Sequence, residues 1–140
     1  GTVVYQRNVP ELPESRTWRT EVATSYGSWH KQPELAVDAG WASGGFFLRA
    51  QGGVRSFDSY EDGNGESVRS AFDSEHLNLM AGFGDATTGQ VELGLEAVRT
   101  EAALFAGAGM DSPEDSNDTY RLKFHRAERL AGLTNYKIDL

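Results

Sequence analysis

Few side chains in this 140-residue sequence are ligands for a soft metal ion. It has three histidines, two methionines and no cysteine. Met110 lies in a segment of small residues, AGAGMD, in which glycine lets the backbone fold closely and present the thioether. Thioether sulfur is a ligand for soft metal ions, although a loop methionine more often packs against its neighbours. Met110 is the residue that we single out as a candidate metal ligand.

The other candidate ligands lack partners at a suitable spacing. His76 and Met80 share one face of a strand if they lie on one, but they are then about 13 Å apart along it, too far to chelate one ion. His30 and His125 have no neighbouring ligand in the sequence. The acidic segment around Asp62 lacks the alternating ligand positions of an EF-hand, so we expect a solvated loop there.

Motifs and composition exclude several classes of protein. The sequence has no nucleophile elbow, no phosphate-binding glycine loop and no metal-hydrolase motif, so we expect no enzyme and no organic cofactor. The net charge of −8 argues against a nucleic-acid partner. No run of about 18 apolar residues could form a transmembrane helix. The chain starts without Met and stops inside an apparent strand, so we expect an internal piece of a larger protein.

The elements that must position these residues are strands, because apolar and polar residues alternate with a period of two. In the first such segment one face carries Trp18, Thr20, Val22, Thr24 and Tyr26. The pattern predicts seven strands: Arg16–Ser28, Glu34–Ser43, Phe46–Phe57, Ser70–Phe83, Gln90–Arg99, Asp118–Arg126 and a last one over about 134–140. Two long loops are predicted, over about 58–69 and 100–117, and the other connections are short.

The predicted fold is all-β: an antiparallel up-and-down meander of about seven strands that forms part of a large transmembrane β-barrel. The predicted outer face is apolar and ends in aromatic residues, whereas the inner face carries arginines and carboxylates that a packed core does not tolerate. Short turns on one side and long loops on the other are typical of outer-membrane barrels. A soluble β-sandwich that buries the apolar face is the alternative. Seven strands do not close an even-numbered barrel, so an eight-stranded or a much larger barrel is required.

Three segments carry a resemblance to a known family: TVVYQR at Thr2–Arg7, DSYEDGNGESVRS at Asp58–Ser70 and AGAGMDSP at Ala106–Pro113. In this order they resemble TonB-dependent outer-membrane receptors, and among these the copper receptors of the OprC and NosA type. The resemblance implies that residues 1–15 are the end of a plug domain and a linker. It implies that residues 16–140 are the first strands of the barrel.

The resemblance also implies a function: binding and import of copper at the bacterial outer membrane, in contact with lipid and driven by a TonB complex that acts on an N-terminal region absent from this chain. The copper site of the family is built from methionine and cysteine of both plug and barrel, so Met110 becomes a candidate copper ligand and the cysteine must come from elsewhere. An iron–siderophore receptor is the nearest alternative. A passive porin-like barrel and a soluble binding module are the others.

Overall fold

A computed structural model describes residues 17–29, 31–85, 89–107, 109–126 and 136–139. The strands are β1 Trp18–Gly27, β2 Gln32–Ser43, β3 Phe46–Phe57, β4 Tyr60–Glu61, β5 Ser67–Val68, β6 Phe72–Asp85, β7 Gly89–Ala103, β8 Ser112–Arg126 and β9 Tyr136–Asp139. Seven of them form one antiparallel sheet in the order β1-β2-β3-β6-β7-β8-β9. The predicted all-β meander of seven strands is therefore confirmed.

Tight turns join the strands at one end of the sheet. Gly44 and Gly45 connect β2 to β3, and both have positive φ angles, 58° and 84°. Two successive residues with positive φ are the requirement of a type I′ hairpin turn, which glycine adopts without steric cost. The twist of this turn matches that of the strands, so the alternation of β2 passes into β3 without a shift of face.

The register places the residues of the predicted outer face on one side of the sheet, which we call the apolar face. Thr24 of β1 lies opposite Leu35 of β2, which lies opposite Val54 of β3. The intervening residues form the other side, which we call the polar face. Because a slip by one residue would exchange the two faces, this register confirms the predicted division of each strand's residues between two faces.

The prediction of a long second loop over 100–117 is wrong. β7 continues to Ala103 and β8 begins at Ser112, so the loop covers only residues 104–111. The alternation of apolar and polar residues stops before the backbone pairing of β7 with β8 does, because both faces of these strand ends carry polar residues. The first long loop contains a small hairpin, β4–β5, that the sequence did not indicate. Residues 1–15, expected to be the end of a plug domain and a linker, lie outside the described residues.

The sheet has little core of its own. Among the described residues, the buried hydrophobic side chains are Phe47 and Met80, both on the polar face. The Phe47 ring lies directly over Gly82, where no side chain competes for the space. The large residues of the apolar face remain exposed. In the part of the chain that the structure describes, no helix is long and apolar enough to cross a membrane.

Candidate functional site

The apolar face is a continuous band of exposed hydrophobic side chains. Exposure is 66% for Trp18, 56% for Phe46, 58% for Leu93 and 74% for Tyr120. On the side of the long loops, the band ends and polar residues take its place on the same face. The first of these are Ser56 on β3, Glu75 on β6, Arg99 on β7 and Asp118 on β8. A soluble monomer rarely leaves an apolar surface of this extent open to water.

The band is slanted across the register of the sheet. Its last apolar residues on the loop side are Tyr26, Leu35, Val54, Leu77, Ala97 and Tyr120, in the order of the strands from β1 to β8. Between Tyr26 on β1 and Tyr120 on β8, this edge shifts along the strands, towards the tight turns, by three steps of two residues each. Over the same distance it crosses five spacings between neighbouring strands.

The slope of this edge gives a strand tilt. Three steps amount to about 20 Å along the strands and five spacings to about 24 Å across them, which is an angle of about 40°. This is the slope expected if the strands cross a flat apolar layer at about 40° to the normal of that layer. The strands of transmembrane barrels tilt by about 35–45°.

Aromatic residues lie along both edges of the band. Trp18 faces Trp41 across β1 and β2 near the tight turns, and the rings of Phe46 and Phe83 follow with their centroids 4.6 Å apart. Tyr26 and Tyr120 mark the opposite edge. Trp and Tyr, whose rings combine an apolar and a polar region, prefer the boundary between hydrocarbon and water.

The polar face arranges its charges in two adjacent register rows. One row reads Arg19, Gly40, Arg49, Met80, Gly94 and Arg121, and the next reads Glu21, Asp38, Gln51, Asn78, Glu96 and Thr119. Arg49 forms a bidentate pair: its Nε and Nη2 donate to the two oxygens of Asp38 at 3.0 Å and 2.6 Å. Gln51 donates to the same carboxylate at 3.1 Å. This pairing satisfies two charged side chains that are only about a quarter exposed to water.

A second cluster on the polar face combines an arginine with two stacked rings. Phe57 of β3 and Phe72 of β6 lie opposite each other with their centroids 4.4 Å apart. The guanidinium of Arg55 lies 5.9 Å from one centroid and 5.4 Å from the other. Such cation–π contacts fix the orientation of the guanidinium. The only sign of this cluster in the sequence is the pair of phenylalanines at polar-face positions near the loop end of β3 and β6.

Contacts between loops tie the opposite end of the sheet together, and we call this the loop end. Trp29 and Tyr60 meet edge to face with centroids 6.5 Å apart. The Leu104 amide donates to the Ala71 carbonyl at 2.9 Å, joining the loop before β6 to the loop before β8.

Met110 lies at the loop end, as predicted, and its side chain is 77% exposed. The next residue, Asp111, forms an ion pair with Arg69 of the preceding long loop. This pair joins two segments that are 42 residues apart in sequence, so sequence reasoning did not find it. The thioether is thus presented to solvent beside an anchored carboxylate.

The structure does not assemble the other candidate ligands into a site. His76 and Met80 share the polar face of β6, and Met80 is buried. Asp62 accepts hydrogen bonds from the amides of Asn64 and Glu66, which makes it a turn residue. His30 and the side chain of His125 lie outside the described residues. Across the described ranges, no group of three or more His, Cys, Asp or Glu residues could hold a metal ion.

Comparison with solved structures gives an informative likeness. No protein-family model matches the chain, and no curated protein matches it. Among solved structures, the copper transporter OprC is similar with a TM-score of 0.81 and 24% identity. The match covers 94% of this chain and 20% of that chain. The chain therefore has the fold of a barrel fragment, it spans about a fifth of the length of the protein that it resembles, and that protein is a transporter and not an enzyme.

Proposed function

We propose that this chain is part of the barrel wall of an outer-membrane receptor that binds copper and imports it, with energy supplied by a TonB complex. The slanted apolar band is the observation that carries the membrane part of this proposal. Its slope of about 40° has a simple cause if tilted strands cross a flat hydrocarbon layer. The aromatic residues along both edges then lie at the two boundaries of that layer.

The choice of cargo is supported by two further observations. The first is the fold likeness to a copper transporter over almost the whole chain. The second is the position of Met110, whose exposed thioether at the loop end is a soft ligand suited to copper(I). A single thioether is not a complete copper site. The remaining ligands would come from other parts of the full-length parent protein, the plug domain in particular.

The test is copper binding by the full-length parent, purified in detergent. We expect tight binding of copper(I) by the wild type and a loss of at least about tenfold in affinity for Met110→Ala, since one ligand is removed. Met80→Leu is the matched control, because it replaces the other methionine at a buried position with a residue of similar volume. Tight copper in both variants would keep the cargo and remove Met110 from the site.

Absence of copper binding by the wild type would overturn the proposed cargo, and iron–siderophores would be the next ligands to test. Energised import needs a separate experiment in cells. Removing the TonB-binding N-terminal segment of the parent should reduce copper uptake to the passive level. Unchanged uptake would instead indicate a passive porin-like barrel.

A further inference from the structure

The loop between β7 and β8 covers residues 104–111, and we call it the Met110 loop. The pair Ala103–Ser112, the last of the β7–β8 ladder, holds its two ends together. Gly107 has a φ of 74°, and an added Cβ there would meet no atom of the described residues within 4 Å. Such a glycine permits several backbone conformations, and no close neighbour selects one of them. The position of the exposed Met110 side chain therefore depends on how this loop is attached to the rest of the chain.

Two contacts attach the Met110 loop to one short stretch of the first long loop. At the start of the Met110 loop, the Leu104 amide donates to the Ala71 carbonyl at 2.9 Å. At its end, Asp111 forms an ion pair with Arg69, and the two side chains are 36% and 52% exposed. Asp111 directly follows Met110 in the chain, so the ion pair is the attachment nearer to the thioether.

Arg69 lies at the foot of the small hairpin in the first long loop, and hydrogen bonds hold its neighbours on both sides. The residue before it, Val68, pairs with Tyr60 across β4 and β5. The residue after it, Ser70, donates its amide to the Ser59 hydroxyl at 3.2 Å. The ion pair therefore joins the glycine-bearing Met110 loop to a segment that is itself bonded in place.

We infer that Arg69 is a positioning residue for Met110: through Asp111, it fixes where the thioether lies at the loop end. This inference rests on the proposed function, in which Met110 is a ligand of copper(I). A ligand group that is already held near its bound position loses less conformational freedom on binding, which raises affinity. Exposed ion pairs are weak, so the pair should raise copper affinity by only about two- to fivefold.

The charge of Arg69 separates positioning from direct electrostatics. A guanidinium near a bound cation repels it, so direct electrostatics predict tighter copper binding in Arg69→Gln, whereas positioning predicts weaker binding. Asp111→Asn removes a charge of the opposite sign, yet positioning predicts the same loss, because either substitution breaks the same pair. The two substitutions together should then cost no more affinity than either one alone.

The test is the affinity of the full-length parent in detergent for copper(I), measured by competition with bicinchoninate. Arg69→Gln should weaken binding about two- to fivefold, and Arg69→Lys should restore most of the loss because it keeps the charge. Arg99→Gln is the matched control. It breaks a comparable exposed pair, with Asp118 at 2.7 Å, on β7 and β8 outside the Met110 loop, and it should leave copper affinity unchanged.

The Met110→Ala background shows whether Arg69 acts through the thioether. Arg69→Gln should have no further effect on copper affinity there, because no thioether is left to position. A general structural role of Arg69 would persist in that background. A loss that persists without Met110 would overturn the inference, as would tighter or unchanged copper binding in Arg69→Gln alone.

Amide hydrogen exchange without copper separates this inference from the proposed function. In Arg69→Gln the amides of the Met110 loop should exchange about two- to fivefold faster than in the wild type, whereas Arg99→Gln should leave them unchanged. Faster exchange supports the positioning role of Arg69 even if the parent binds no copper(I). Unchanged exchange, with tight copper(I) binding at Met110, overturns that role and leaves the proposed function standing.

Discussion

Introducing a charge into the slanted band is the sharpest test of whether the sheet lies in a membrane. Ala50 lies on the apolar face at the middle of the band on β3, four residues from Phe46 and four from Val54. With a rise of about 3.4 Å per residue and a tilt of about 40°, it is about 10 Å from either edge of the band. Ala50→Arg should therefore destabilise the parent in a bilayer by about 2–4 kcal/mol.

Tyr120 provides a control that depends on the slant. It lies in the same register row as Ala50, through Leu79 and Leu95, but at the loop-side edge of the band. Tyr120→Arg should cost only about 0–1 kcal/mol for the charge, because the guanidinium can reach water there. Gln51→Arg places the charge on the polar face next to Ala50 and should show no penalty from lipid.

The assay is guanidinium chloride unfolding of the full-length parent reconstituted in phosphatidylcholine vesicles, with folding followed by gel mobility without heating. The slanted band predicts different losses of stability at two positions in one register row. Equal losses of stability for Ala50→Arg and Tyr120→Arg would refute the inference that the slanted band follows a flat apolar layer. A negligible cost at Ala50 would refute contact with lipid altogether.

Two further substitutions test the polar face by the same unfolding assay. Gly82→Ala should lower the free energy of unfolding by about 1–3 kcal/mol, because the new Cβ would meet the Phe47 ring and come within 2.5 Å of the Val91 carbonyl oxygen. Gly63→Ala is the control and should be nearly neutral, because nothing lies within 4 Å of the new Cβ. Equal effects of the two substitutions would contradict the packing of Phe47 over Gly82. Arg49→Ala should cost about 1–2 kcal/mol by leaving the half-buried Asp38 without its bidentate partner. In a double-mutant cycle, Arg49→Ala should cost much less stability when Asp38 is already replaced by alanine. Additive effects of the two substitutions would show that the two groups do not interact.

Sequence reasoning succeeded where one face is apolar and the other is polar. Both ends of β3 were predicted correctly, Phe46 by the preceding glycine turn and Phe57 by the polar loop that follows. Register errors are improbable in such strands, since a slip by one residue would exchange the two faces. The orientation of each long strand was therefore available from the alternation alone.

The same reasoning failed where both faces are polar. The segment SPEDSND at the start of β8 contains proline, serine, aspartate and asparagine, which usually mark turns. Pro113 is nevertheless accommodated in the strand, because the β7–β8 ladder is interrupted there. The register pairs Glu101 with Glu114 and Ala103 with Ser112, but it skips Pro113 and Ala102, whose φ is 52°. The backbone pairing of β7 with β8 continues from the rest of the hairpin into this segment, so the strand continues without alternating apolar and polar side chains.

The candidate sites divide in a similar way. Met110 could be identified from residue type and its glycine-rich surroundings. The cluster of Arg55, Phe57 and Phe72 could not, because it depends on the register between β3 and β6, which are separated by a loop that contains a hairpin of its own. The pair between Arg69 and Asp111 is a contact between two loops, for which the sequence carries no periodic signal.

The slope of the band also fixes how much wall each strand supplies. Strands spaced about 4.8 Å apart and inclined by about 40° each occupy about 6 Å of a barrel's circumference. The stagger is slightly more than one residue per strand, so in a closed barrel with this geometry the shear number exceeds the strand number by about a fifth. At about 22 strands the perimeter would reach about 140 Å and the diameter about 44 Å between backbones, wide enough to enclose a folded domain. The seven strands seen here would make about a third of that ring.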